Sequence, residues 1–86
     1  MPYLTQSDRH YVDEYQDPVN PGQLTYLLTK FVLKYISRCG PRFQTYAEVL
    51  SALECAKLEL YRRQVAVYED DRCRANGDVY PPEGLA

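Results

Sequence analysis

The stretch TYAEVLSALECAKLELYRRQVAVYEDDRCRANG, residues 45–77, dominates the architecture that this sequence predicts. Thr45 and Glu48 form the S/T-x-x-E capping box of a helix start, and Asn76 with Gly77 supplies a C-terminal stop. Apolar residues recur at helical spacing between these ends. We therefore expect one helix of roughly 30 residues, or ~45 Å at the α-helical rise. Two short helices cannot easily cover it, so part of it is expected to pair with another chain.

One broad apolar face follows from winding residues 46–74 at ~100° each. It contains Tyr46, Val49, Leu50, Leu53, Ala56, Leu60, Val67 and Tyr68, with Tyr61 at its edge. Lys57 and Gln64 lie inside this face. A buried lysine without a partner is costly, so Lys57 either extends to solvent, pairs with an acid, or contacts an anionic ligand. The last interpretation makes Lys57 a candidate ligand contact.

A second, narrower stripe predicts where two copies meet. Leu58 and Val65 are seven residues apart and lie well off the broad face, so a single chain leaves them exposed. Arg62 borders both. In an antiparallel pair centred near Ala66, Arg62 of one chain faces Glu69 or the acid after it in the other. The predicted oligomer interface is therefore Leu58, Arg62, Val65 and Glu69; the alternative is isolated surface hydrophobes, which are common.

The two adjacent arginines of this stretch do not form one binding clamp. Arg62 and Arg63 point ~100° apart because they are neighbours on a helix. Arg63 lies four residues after Glu59, and Arg74 lies four residues after Asp70. Each such pair is worth ~0.3 kcal/mol on a helix surface. We interpret the Arg63 side as a solvated flank that neutralises its own charge.

Upstream of the long helix, residues 20–41 predict an amphipathic middle helix. Asn20 can cap it, Pro21 suits its first position, and Gln23 completes a capping-box pattern. Gly40 followed by Pro41 ends it. Its apolar face contains Leu24, Leu27, Leu28, Phe31, Val32, Tyr35 and Ile36, and its opposite face contains Gln23, Tyr26, Lys30, Lys34 and Ser37. An apolar arc this wide has to contact more than one neighbour.

The first segment, TQSDRHYVDEYQDP at residues 5–18, predicts a short helix that Thr5 or Ser7 caps and Pro18 stops. Tyr11 and Tyr15 are four residues apart and share a face of it. The fold class is therefore all-α: a short N-terminal helix, an amphipathic middle helix and one long C-terminal helix, packed as an oligomeric helical bundle. Residues 1–80 are expected to form a single helical domain and residues 81–86 a flexible C-terminal tail.

Composition narrows the classes of function. The 86 residues are 45% hydrophobic and 26% charged, as in a globular domain. A net charge of -2 gives no overall field that attracts nucleic acid, although residues 18–47 contain four bases and no acid. Three separated cysteines without a C-x-x-C, and His10 as the single histidine, argue against a zinc site within one chain. We expect no metal and no cofactor.

The cellular setting is expected to be cytoplasmic. The best apolar run, LLTKFVLKYI, is broken by Lys30 and Lys34, so no membrane contact is predicted. No signal peptide is recognisable, and free thiols suit a reducing compartment.

Three strings carry a resemblance to a known group of proteins. NPGQLTY, AEVLSALECAKLELYRRQVAVYEDD and NGDVY occur in this order and span most of residues 20–80. The chain resembles a family of small uncharacterised proteins of tailed phages and prophages that share an NPG start, an LE-AKLE-YRR-VA-YED core and a terminal NGDVY. The tail PPEGLA and the cysteines depart from that pattern. The resemblance implies a bacterial host cell as the setting and implies no reaction.

A non-catalytic binding role is the class of function that remains. No Ser/His/Asp or Cys/His constellation and no phosphate-binding glycine loop is present, so we expect no enzyme and no catalytic residue. Small phage accessory proteins, as the resemblance implies, often counter host defence by sequestering a nucleotide signal or by covering a host protein. Tyrosine can stack on a base while Lys or Arg binds phosphate. The candidate ligand-binding residues are Tyr26, Lys30, Lys34, Lys57, Tyr61, Arg62 and Arg63.

Partners follow from the same reasoning. The chain itself is the first expected partner, as a homo-oligomer. A nucleotide-type small molecule is the second, with direct inhibition of a host defence protein as the alternative. A nucleic-acid-binding accessory role is a weaker alternative because the domain is acidic overall.

Overall fold

The fold is all-α, as predicted. A computed structural model describes residues 2–82. Its helices are α1 (Gln6–Tyr15), α2 (Pro21–Cys39), α3 (Phe43–Leu60) and α4 (Ala66–Asn76), and a π-helical turn, Tyr61–Val65, separates α3 from α4. Leu60 and Ala66, which flank that turn, have right-handed helical dihedral angles. The backbone is therefore helical without a break from Phe43 to Asn76, which accounts for the predicted long helix.

The chain divides into two units, residues 1–49 and residues 50–86. The first contains α1, α2 and the start of α3, and the second contains the rest of α3, the π-helical turn and α4. The single domain at 1–80 stays a prediction. Residues 83–86 of the predicted tail lie outside the described residues.

Helix α2 begins as its sequence predicts. The Asn20 side chain accepts a hydrogen bond from the Gln23 backbone N–H at 2.9 Å. The Gln23 side chain in turn accepts one from the Val19 backbone N–H at 3.0 Å. This reciprocal capping satisfies two backbone donors that a helix start leaves without partners. Gly40 ends the helix with φ of +94°, a backbone conformation that side chains other than glycine rarely adopt.

Helix α3 begins two residues before the predicted capping residue. The Tyr46 backbone N–H bonds to the Arg42 carbonyl at 3.1 Å, so the first helical turn is already closed ahead of Thr45. Thr45 is fully buried, and its hydroxyl has no hydrogen-bond partner within the described residues. Glu48, the predicted partner in the box, accepts bonds from Tyr35 and Gln44 instead. The S/T-x-x-E pattern therefore gave the right helix but the wrong cap.

Helix α1 covers the polar side of α2, which the sequence placed toward solvent. Val12 of α1 is fully buried, and Gln23 and Tyr26 of α2 are each only 7% exposed. The predicted apolar face of α2 is left open: Leu24, Leu28, Phe31 and Tyr35 are all at least 42% exposed. A specific contact favours this docking, because the Tyr26 hydroxyl donates a hydrogen bond to the Asp13 carboxylate at 2.9 Å.

A hydrogen bond between Tyr35 and Glu48 joins α2 to the start of α3. The Tyr35 hydroxyl donates to the Glu48 carboxylate at 2.7 Å. This bond, with a second interaction between the Tyr35 hydroxyl and Cys39, raises the pKa of Tyr35 to about 12. The same bond, helped by Gln44, lowers the pKa of Glu48. The contact therefore needs a neutral tyrosine and an ionised glutamate.

This pair predicts losses of stability at both extremes of pH. The raised Tyr35 pKa gives a contribution that is present below pH ~10 and is lost as pH rises toward 12. The lowered Glu48 pKa gives one that is lost as pH falls through it. In an absorbance titration of the tyrosines, Glu48→Gln should shift the pKa of one tyrosine from about 12 back toward 10. An unchanged titration curve in that variant contradicts the assignment.

The π-helical turn is the feature that the sequence did not predict. Such a turn holds one residue more than an α-helical turn, so residues after it fall back around the helix by roughly one residue's rotation, ~100°. Val65 thereby leaves the stripe of Leu58 and joins the face of Tyr61, with which it lines one cleft. A face drawn through residues 61–65 with uninterrupted α-helical winding is therefore displaced around the helix beyond this turn.

No residue from 50 to 82 is buried within the chain. Lys57, which the winding placed inside a buried face, has a side chain that is 73% exposed and lies 3.6 Å from the Glu54 carboxylate. Lys57 therefore extends to solvent and pairs with an acid in the isolated chain. Because no side chain there is buried, this segment has few tertiary contacts. A helix without such contacts derives little stability from its own backbone.

Candidate anion-binding site

A cavity of about 410 Å³ opens on α2 beside the end of α1. Its lining combines two lysines with an apolar surface: Asp13, Gln16, Leu27, Lys30, Phe31, Leu33 and Lys34. Lys30 and Lys34 are four residues apart, so one face of the helix presents both ammonium groups. The volume lies within the range of small-molecule sites in proteins.

The two lysines give this cavity a net positive charge. Neither Lys30 nor Lys34 makes an ion pair within residues 2–82, so both charges are available to a ligand. Asp13 is the one acid in the lining, and its carboxylate already accepts the Tyr26 hydroxyl. A phosphate or carboxylate group that bridged the two lysines would gain charge-assisted hydrogen bonds.

Tyr26 supports this cavity without lining it. Its ring is only 7% exposed, and the Lys30 ammonium lies 5.9 Å from the ring centroid. Burial, followed by the hydrogen bond to Asp13, raises the pKa of Tyr26. The ring therefore contacts Lys30 and Asp13 and presents little surface on which a ligand could stack.

Phe31 is the aromatic residue that lines this cavity, and the residues predicted from the sequence did not include it. It lines the cavity beside Lys30 and is 61% exposed, so one side of its ring can receive a planar group. The helical pattern had assigned it to a buried apolar face. The sequence nevertheless contained an indication of this cavity. Lys30, Phe31 and Lys34 lie about one helical turn apart in a segment that contains no acid.

The other predicted ligand residues lie in the second unit. Lys57, Arg62 and Arg63 pair with acids there, and Tyr61 lines the second cleft described below. Arg62 pairs with Glu59 at 2.7 Å, and Arg63 approaches the same carboxylate oxygen at 3.9 Å. The predicted Glu59–Arg63 pair is thus present. Arg62, which was predicted to face Glu69 of another copy, pairs with Glu59 in the single chain. One carboxylate shared by two arginines partly neutralises both. Lys57 pairs with Glu54, as described above.

The predicted Asp70–Arg74 pair is replaced by Asp71 with Arg74. The two acids are neighbours, and the i,i+3 spacing from Asp71 serves the arginine as well as the i,i+4 spacing from Asp70. Asp70 instead faces the cleft described next.

A second cleft, of about 610 Å³, lies where the segment after α4 returns along that helix. Its lining contains three acids and one base together with two tyrosines: Tyr61, Val65, Glu69, Asp70, Arg72, Cys73, Gly77, Asp78, Val79 and Tyr80. Burial, followed by the nearby Asp78 carboxylate, raises the pKa of the Cys73 thiol. Its acidic lining repels anions, so this cleft does not suit the predicted ligand.

Within the part of the chain that the structure describes, no three His, Cys, Asp or Glu side chains converge as metal ligands do. None of the described helices is long and apolar enough to cross a membrane.

These features define a small all-α protein with a cationic cavity on α2 and exposed apolar helix faces. The chain belongs to the family described as Domain of unknown function (DUF6899), whose model matches residues 1–79. No curated protein and no solved structure matches the chain.

Proposed function

We propose that this chain is a non-catalytic binding protein that captures a small anion carrying a planar group, such as a nucleotide. The observation that carries the proposal is the cavity in which Lys30, Lys34 and Phe31 meet. The lysines bind phosphate, and Phe31 stacks on the base. Leu27 and Leu33 supply an apolar wall against which a ribose or base is shielded from water.

The phage resemblance gives this chemistry a biological setting. In that setting the protein is a phage accessory protein in the cytoplasm of an infected bacterium, where it acts as a homo-oligomer. It sequesters a nucleotide immune signal of the host and thereby counters defence. Capture without turnover is consistent with a lining that holds one carboxylate, itself engaged with Tyr26, and no histidine.

A second candidate is inhibition of a host defence protein by direct contact. The observation that favours it is the outward face of α1, where the Tyr11 and Tyr15 rings lie 4.9 Å apart and both are exposed. His10 and Glu14 flank them beside a shallow groove. Exposed tyrosines bordered by polar groups are common at protein interfaces.

The role of Phe31 separates nucleotide binding from binding of any anion. Phe31→Ala should weaken binding of AMP about tenfold, since stacking on one base is worth ~1–3 kcal/mol. Binding of pyrophosphate, which has no base, should be unchanged. Isothermal titration calorimetry with both probes measures the difference. Leu28→Ala is the matched control, because Leu28 is exposed on the same helix but does not line the cavity.

Equal losses for the two probes, or no loss for AMP, would contradict the stacking role and leave the lysines to act alone.

A further inference from the structure

The apolar face of the second unit is left largely exposed in the single chain, although residues 77–80 border it at Tyr61 and Val65. Leu50, Leu53, Leu60, Tyr61, Val65 and Tyr68 are each 37–68% exposed. Once the rotation at the π-helical turn is included, all six fall on one side of the helix. A helix of this composition gains most of its stability from burying that side. Something else must therefore cover it.

The charges along the same side are arranged as another copy of the chain would require. Lys57 and Glu69 lie six residues before and six residues after Arg63, in the middle of the π-helical turn. Glu54 and Arg72 lie nine residues before and nine residues after it. A base and an acid thus stand at equal distances from one point, twice.

We propose that residues 50–72 pair antiparallel with the same segment of a second copy, about a twofold axis that crosses the apolar face at the level of Arg63 along the helix. In this register Lys57 of each copy meets Glu69 of the other, and Glu54 meets Arg72. A twofold axis makes each contact occur twice. A parallel pair would set each charge beside its own copy, which repels. The charge order therefore selects the antiparallel arrangement.

Two further observations agree with this register. Glu69 and Arg72 make no ion pair within residues 2–82, so both await a partner. Lys57 makes only a 3.6 Å contact with Glu54 at the helix surface, which it can exchange at little cost. Arg62, by contrast, is held at 2.7 Å by Glu59. Compared with the oligomer interface predicted from the sequence, this interface keeps Val65 and Glu69. It contains Lys57 and Leu60 in place of Leu58 and Arg62.

This inference deepens the self-association that the proposed function includes, and its test is independent of the anion cavity. Lys57→Glu places acid against Glu69 of the other copy, and Glu69→Lys places base against Lys57. Each single variant should raise the dissociation constant of the assembly at least about tenfold, because like charges face each other twice. The double variant exchanges the two charges and should restore the constant to within about threefold of the original.

Sedimentation equilibrium of the full chain measures these constants, and circular dichroism checks that helix content is retained. Arg63→Glu is the control, since Arg63 lies on the opposite side of the helix, and it should assemble normally. An original chain that sediments at 10.0 kDa at all concentrations would overturn the proposal. So would single variants that assemble normally, or a double variant that stays dissociated. AMP binding, measured on the same samples, reports separately on Lys30 and Lys34.

Discussion

Replacing Lys30 and Lys34 together by Gln is expected to weaken AMP binding about 100-fold. A hydrogen bond to a charged group contributes ~1.5–3 kcal/mol, so two at the low end amount to ~3 kcal/mol, or about two orders of magnitude. Both side chains lie at the cavity surface, which is why the low end applies. Titration calorimetry of the variant against the original chain gives the ratio of affinities.

The control for this experiment is Arg62→Gln with Arg63→Gln. It removes the same number of positive charges from side chains that already share the Glu59 carboxylate. AMP affinity should change by less than about threefold, because these arginines do not line the cavity and Glu59 partly neutralises them. A loss equal to that of the lysine variant would mean that overall charge, and not the cavity, binds the nucleotide. That result would support Arg62 and Arg63 as ligand-binding residues.

The second large effect is expected from Leu60→Asp, which should dissociate the assembly. Burying a leucine contributes ~1.5–3 kcal/mol, and a twofold interface contains it twice, so the dissociation constant should rise at least about 100-fold. The introduced carboxylate adds to the loss because it enters an apolar contact without a partner. Light scattering coupled to size-exclusion chromatography measures the mass of each variant.

Leu58→Asp provides a closely matched comparison. Leu58 and Leu60 are 55% and 58% exposed in the single chain and stand two residues apart on one helix. The register about Arg63 predicts that Leu60→Asp dissociates the copies and that Leu58→Asp does not. The oligomer interface predicted from the sequence, which contains Leu58 and Val65 and assumes an uninterrupted α-helix, predicts the reverse. The pair of variants therefore decides between two interfaces on the same segment.

Local signals in the sequence were sufficient for the helices themselves. Asn20, Gln23 and Gly40 bound α2 where the predicted caps place them, because capping depends only on residues within one turn. Thr45 failed as a cap for a reason outside its own turn. The backbone around Arg42 had already closed the helix start, so the threonine became an interior residue.

Helix packing was harder to predict because the face of a helix that becomes buried depends on which other segment packs against it. The apolar arc of α2 pointed to Leu24 and Leu28 as its buried side, yet α1 docks on the side of Tyr26. A helix of ten residues with one buried valine has little apolar surface to offer, so the Tyr26–Asp13 hydrogen bond contributes to the choice. No periodicity of α2 alone contains that information.

The π-helical turn has the widest consequences among the features that the sequence hid. Neither glycine nor proline occurs in residues 61–65, so no usual breaker marks the turn. It nonetheless rotates everything after it, and that rotation moved Val65 from one stripe to another. For the candidate site, the predicted ligand residues Lys30 and Lys34 line the same cavity. Phe31 was missed because an exposed aromatic and a core aromatic have the same helical spacing.

The most direct test of the proposed function is a titration of the unmodified chain with AMP, in which calorimetry or equilibrium dialysis measures the bound nucleotide. The cavity on α2 predicts saturable binding that reaches one nucleotide per chain and weakens as salt is added, since two lysines bind the phosphate. Binding that never saturates, or no heat and no retained nucleotide up to millimolar concentration, would contradict it.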